Sequence, residues 1–121
     1  MSTQVYGIRG ATTIDSNTAA NIKKASVELI KELLDKNKIK SKDIVSITIS
    51  STGDITKSYP AKHIRECGLT AEAPLFSSLE PNIEGALPLC IRILLHTQGN
   101  TILPVRHIYL HGAKNLRPDI K

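Results

Sequence analysis

Aromatic side chains are scarce in this 121-residue chain: Phe76, Tyr6, Tyr59 and Tyr109 are the whole set, and tryptophan is absent. Readers of single-stranded nucleic acid stack bases on aromatics interleaved with basic residues. The scarcity therefore argues against that class, although 16 Lys and Arg against 11 Asp and Glu leave a net charge of +5. Nor is there a basic block: the densest cluster, Lys36 to Lys42, is flanked by Asp35 and Asp43 and reads as a solvated helix end and loop. The charge favours anionic partners without naming their class. Two cysteines, Cys67 and Cys90, are too few for a disulfide framework, and their spacing to the four histidines matches no zinc pattern. No apolar run is long enough to cross a bilayer, and no basic region followed by a long apolar core stands at the N-terminus. The expected setting is cytoplasmic and reducing, with no nucleic acid, membrane or metal. A Gly-rich phosphate loop and a nucleophilic triad are also missing.

What remains fits a single domain over residues 1–121, with one core and one site per chain or sites shared between chains. Gln4 to Ala11 suits a strand, and Asp15-Ser16-Asn17-Thr18 offers helix caps. Ile22, Ala25, Leu29 and Leu33 then recur at helical steps, predicting a long helix that ends near Asn37. Ile44 to Ser50 alternates Val45, Ile47 and Ile49 with Ser46, Thr48 and Ser50, the period of a strand with one buried face. Pro60 to Glu66 is expected as a short helix stopped by Gly68, with Lys62 and Arg65 on one face. Strands are expected over Ala73 to Ser78, Leu89 to Thr97 and Val105 to Leu110. Pro81 to Leu87 reads as a turn or helical segment, and irregular chain is expected from Ala113.

Parity sharpens this reading. Ile91, Ile93 and Leu95 share one face of their strand and Arg92, Leu94 and His96 the other; Arg9 falls opposite Ile8, and Tyr109 opposite Ile108 and Leu110. Arg92 sits within an apolar run, and its guanidinium stays charged, so it must reach solvent or meet an anion. A single long helix covers one face of a small sheet, and a partner subunit is the simplest cover for the other. A homo-oligomer with clefts near its interfaces is expected.

The motifs Gly7-Ile8-Arg9-Gly10-Ala11-Thr12-Thr13, Tyr59-Pro60-Ala61-Lys62 with Arg65-Glu66, Glu80, Cys90-Ile91-Arg92, Arg106-His107-Ile108-Tyr109-Leu110 and Leu116-Arg117-Pro118-Asp119 follow one another from Gly7 to Asp119. In order and spacing the chain resembles the small trimeric chorismate mutases of the α/β type. The resemblance implies an α+β fold in which a mixed sheet packs against one long helix and short helical segments. It also implies a homotrimer forming a pseudo α/β-barrel, with active sites between subunits, no cofactor, and chorismate as the small-molecule substrate. By the same motif match Arg92, Glu80 and Arg9 would be catalytic, with Arg92 at the ether oxygen. Arg9 and Tyr109 would hold the enolpyruvyl carboxylate and Glu80 the ring hydroxyl. Tyr59, Lys62, Arg65, Phe76, Ser77, Leu116 and Arg117 would line or close the cleft, some from the adjacent chain. Ser77 and Tyr59 stand where the best-known member has cysteine and phenylalanine, and Pro81 and Pro88 are placed to shift the setting of Glu80 or Arg92. Rival readings are an imine deaminase on a similar trimeric architecture and a trimer that only binds a small carboxylate.

Overall fold

The computed structural model describes residues 4–99 and 104–116. Chain order is strand β1 (Gln4–Thr13), helix α1 (Ala19–Lys36), strand β2 (Ile44–Ser51), helix α2 (Pro60–Glu66), and strands β3 (Leu75–Leu79), β4 (Cys90–Gly99) and β5 (Ile108–Tyr109). Short 3₁₀ turns occupy Ser41–Asp43 and His111–Asn115. The five strands form one sheet in the order β3-β2-β4-β1-β5, with β4 antiparallel to both β1 and β2, and with β3 and β5 parallel to their neighbours. Strands β1 and β2 thus run the same way with β4 between them, joined by α1, while α2 joins β2 to β3.

Helix α1 begins where Thr18 turns its hydroxyl back to accept from the Asn21 N–H at 3.1 Å. It stops at Asn37, whose side-chain amide donates to the Leu33 carbonyl. Ile22, Leu29, Ile30 and Leu33 leave no exposed surface, and they meet Ile8, Ile47, Ile49, Ile91, Ile93 and Leu95 from the sheet and Ile64 from α2 in one apolar cluster. Each such side chain contributes about 1.5–3 kcal/mol by leaving water. Gly10 lets the helix approach β1: a Cβ there would lie 2.9 Å from Leu33 Cδ1 and 3.1 Å from Leu29 Cδ1.

Some expectations shift. The alternation expected to bury Val45 with Ile47 and Ile49 is broken by a register shift between Ile44 and Ser46, so Ile44 is buried and Val45 is exposed. Strand β5 is two residues long rather than spanning Val105 to Leu110, because Asn37 takes over the pairing upstream. Its side chain accepts from the Arg106 N–H at 2.8 Å and donates to the Arg106 carbonyl at 2.9 Å. Ala113, expected in irregular chain, is buried within the 3₁₀ turn that caps β5. Pro81–Leu87, expected as a turn or helical segment, holds a turn at Glu84-Gly85 closed by the Ala86 N–H to the Ile83 carbonyl at 3.1 Å, and no helix. The tail from Arg117 onward lies outside the described residues.

Candidate active site

The sheet face turned away from α1 carries the charged candidates, and strand pairing decides which of them meet. Arg92 pairs with Ala11 on β1 and Ser50 on β2; Ala11 pairs with Tyr109 on β5, and Ser50 with Ser78 on β3. Ser78, Ser50, Arg92, Ala11 and Tyr109 therefore form one lateral row across all five strands. Beside it runs a second row of Phe76, Thr48, Leu94 and Arg9. With strands about 4.8 Å apart, the backbones of Arg92 and Tyr109 stand roughly 10 Å from each other, with only the methyl of Ala11 between them. That gap is the floor of a cleft of about 450 Å³ lined by Arg9, Thr48, Ser50, Ser78, Glu80, Arg92, Leu94, Tyr109 and Leu116.

Glu80 follows β3, where its N–H donates to the Ser51 carbonyl at 2.9 Å. Pro81 leaves that bond intact: a proline lacks only its own N–H, and it biases its predecessor toward the extended backbone. The Glu80 carboxylate lies 3.1 Å from Arg92 Nε, close enough for an ion pair. Yet the Nε itself is buried and is not aligned for a hydrogen bond, so donors toward the cleft come from the exposed part of the guanidinium. Cys90, fully buried two residues before Arg92, has its thiol pushed up by burial against the opposing pull of the Arg92 charge, which keeps it protonated and unsuited to nucleophilic work. Arg9 is held through its backbone: its N–H donates to His107 Nδ1 at 3.0 Å, so that ring nitrogen carries no proton. His107, which the sequence left without a role, is thus part of the support for Arg9.

The other predicted residues lie elsewhere in the same chain. Tyr59, Lys62 and Ser77 line a second cleft of about 730 Å³ together with Ser51, Ile55, Ser58 and Leu79. Ser77 pairs with Ile49 and so points to the face opposite Arg92; it is Ser78 that joins the Arg92 row. Phe76 shares that row's face, 71% exposed, but neither it nor Arg65 lines either cleft. Arg117 is outside the described residues. Thr48, Ser50 and Ser78 were not singled out from sequence as site residues. Their signal was the polar half of the alternation in β2 and β3, which becomes a site only once pairing to β4 is known. Among the described residues no cluster of His, Cys, Asp and Glu could hold a metal ion, and no helix is long and apolar enough to cross a membrane.

Two basic residues, a carboxylate and a tyrosine converging on one cleft suit the binding of a small anion and the stabilisation of developing negative charge. Comparison with known proteins places the chain among relatives of one kind. A family model described as chorismate mutase type I matches residues 5–120. The chorismate mutase AroH of Thermus thermophilus is 38% identical over 121 residues, covering 97% of both chains. Its namesake from Bacillus subtilis is 34% identical over 119 residues, covering 96% of this chain and 92% of the relative. A solved chorismate mutase from Clostridium thermocellum superposes with a TM-score of 0.83 at 36% identity, over 90% of this chain and 97% of the other.

Proposed function

The chain belongs to the chorismate mutase type I family, and on that basis we propose that it converts chorismate to prephenate, toward phenylalanine and tyrosine, with Arg92 as the central catalytic group. The reaction is an intramolecular rearrangement: one carbon–oxygen bond breaks as one carbon–carbon bond forms, and no proton or nucleophile is exchanged. What the protein supplies is confinement of a flexible dianion in its reactive conformer and fixed positive charge where the ether oxygen becomes negative. The observation that carries the reading is the row holding Arg92 and Tyr109, with Arg9 beside it and Glu80 against Arg92. In this reading Arg92 donates to the ether oxygen and a carboxylate, Arg9 and Tyr109 hold the enolpyruvyl carboxylate, and Glu80 accepts from the ring hydroxyl.

The active assembly is a trimer in which the cleft of one chain is completed by Tyr59, Lys62, Arg65, Phe76 and Ser77 of the next, and by Leu116 and Arg117. Support comes from the separation of the two groups within one chain and from the edge strand β3, which leaves Phe76 and Leu79 exposed beside an equally exposed Tyr59. The setting is cytoplasmic and no cofactor takes part. A continuous assay of the purified protein, following loss of the chorismate diene absorbance and confirming prephenate by acid conversion to phenylpyruvate, is expected to show turnover that Arg92→Ala abolishes. Tight binding of a transition-state mimic with no turnover would instead mark a binding protein.

A further inference from the structure

The segment that delivers Arg92 into the sheet is held from outside the cleft by residues to which neither the sequence motifs nor the proposed mechanism gives a role. Leu89, the residue before β4, sits at φ +50°, a left-handed conformation that costs a branched side chain energy and that Pro88 on its N-terminal side does not relieve. Its backbone is fastened on both sides: the N–H donates to Asp54 Oδ2 at 3.0 Å, and the carbonyl accepts from the Ile14 N–H at 3.0 Å. Asp54 lies in the turn that ends β2, closed by a bond from the Ile55 N–H to the Thr52 carbonyl. Its other oxygen accepts from the Thr52 hydroxyl, and that hydroxyl oxygen in turn accepts from the Cys90 N–H at 3.0 Å. The Thr52 N–H donates to the Cys90 carbonyl, again at 3.0 Å.

These bonds form one chain, from the Asp54 carboxylate to Leu89 directly and to Cys90 through Thr52. Partial burial pushes the Asp54 carboxyl up, but the bonds from Thr52, from the Leu89 backbone and from its own backbone outweigh this and hold it ionised below the ordinary carboxylate range. A carboxylate is the one common side chain with two acceptor oxygens and no donor, which is what two converging donors require. Cys90 is two residues before Arg92, and the preceding residue of β2, Ser51, receives the Glu80 N–H. Displacing Leu89 and Cys90 therefore moves Arg92 relative to Glu80.

We propose that Asp54 is a positioning residue for catalysis: through Leu89 and through Thr52 to Cys90, it holds the strained entry to β4 in the conformation that aims Arg92 at the reacting ether oxygen. The proposal rests on the chorismate reading and extends it beyond the cleft. Because Arg92 acts on charge that develops in the transition state, its misplacement lowers kcat more than it changes KM.

The test compares wild type, Asp54→Asn, Asp54→Ala, Leu89→Gly and the Asp54→Ala/Leu89→Gly double variant, each under conditions where circular dichroism shows it folded. Steady-state kinetics with chorismate are combined with amide hydrogen exchange at Leu89 and Cys90. Asp54→Ala is expected to lower kcat at least about ten-fold with a smaller change in KM, given that a misplacement of about 1 Å costs up to about 10²-fold. Exchange at both amides should quicken. Asp54→Asn, which keeps an oxygen for the Leu89 N–H, should fall between. Glycine adopts the Leu89 conformation without strain, so Asp54→Ala should cost less when made on Leu89→Gly than on the wild type. A kcat for Asp54→Ala within about two-fold of wild type, or an equal loss on both backgrounds, would overturn the proposal. Should the wild type itself fail to turn chorismate over, the functional reading fails, and unchanged exchange at Leu89 and Cys90 in Asp54→Ala would sink the clamp separately.

Discussion

Arg92 differs from an ordinary strand arginine in what flanks it. Ala11 and Ser50 are too small to cover its guanidinium, Glu80 balances its charge from one side, and its Nε–H stays without a hydrogen bond. A donor aimed at transition-state charge is worth about 3–4 kcal/mol. Arg92→Ala should therefore lower kcat by about 10²–10³ or more, measured by the diene assay. Arg92→Lys keeps the charge but not the fork of donors, and is expected to remain well below wild type; full activity in that variant would show that point charge alone suffices. At His63 in α2, burial and the neighbouring Lys62 charge hold the imidazole pKa below its ordinary value, while Ser58 Oγ lies 2.8 Å from Nε2. A depressed histidine pKa means that the unfolded chain binds the proton more readily. The stabilisation is then complete above the ordinary histidine range and declines as pH falls through the folded-state value. His63→Gln should flatten that decline, read as the difference between variant and wild type in urea unfolding at pH 7.5 and pH 5.

Element by element, the helices were the more legible part of the chain. The 3.6-residue spacing of Ile22, Ala25, Leu29 and Leu33 and the proline at position 60 fall within the observed α1 and α2. Strand ends were less so, because they depend on partners. The Ile44/Ser46 shift that exposes Val45 and the side chain of Asn37 that replaces backbone pairing at Arg106 leave no periodic trace in the sequence. The packing of α1 on β1 rests on Gly10, and a Cβ there must push aside the tips of Leu29 and Leu33. Gly10→Ala should destabilise the protein by about 1–3 kcal/mol, as overpacking generally does. Chemical denaturation will measure it, and an unchanged midpoint would show that the two leucines repack without strain.

For the whole molecule, the separation of Arg9, Glu80, Arg92 and Tyr109 from Tyr59, Lys62 and Ser77 makes activity a property of neighbouring chains in the proposed trimer. Arg92→Ala and Lys62→Ala each disable one half of a shared cleft. Mixed after reversible dissociation, the two inactive proteins should regain activity, because some clefts then join an intact Arg92 side to an intact Lys62 side. No recovery in mixtures shown by sedimentation to contain hybrid trimers would place both halves in one chain's site.

Composition and periodicity by themselves determined the core-facing residues of α1 and of β4, because burial there obeys local rules: a period of about 3.6 in helices and of two in strands. Parity alone set Arg9, Arg92 and Tyr109 on the faces opposite their apolar neighbours, and motif order pointed to the family. Only the tertiary structure decided that Ser78 rather than Ser77 shares the Arg92 row, that Val45 is exposed, and that Asp54 reaches Leu89. Those outcomes depend on pairing register and on contacts between residues far apart in the chain, such as Asp54 and Leu89. No local period encodes them, because a strand's partner sets its register.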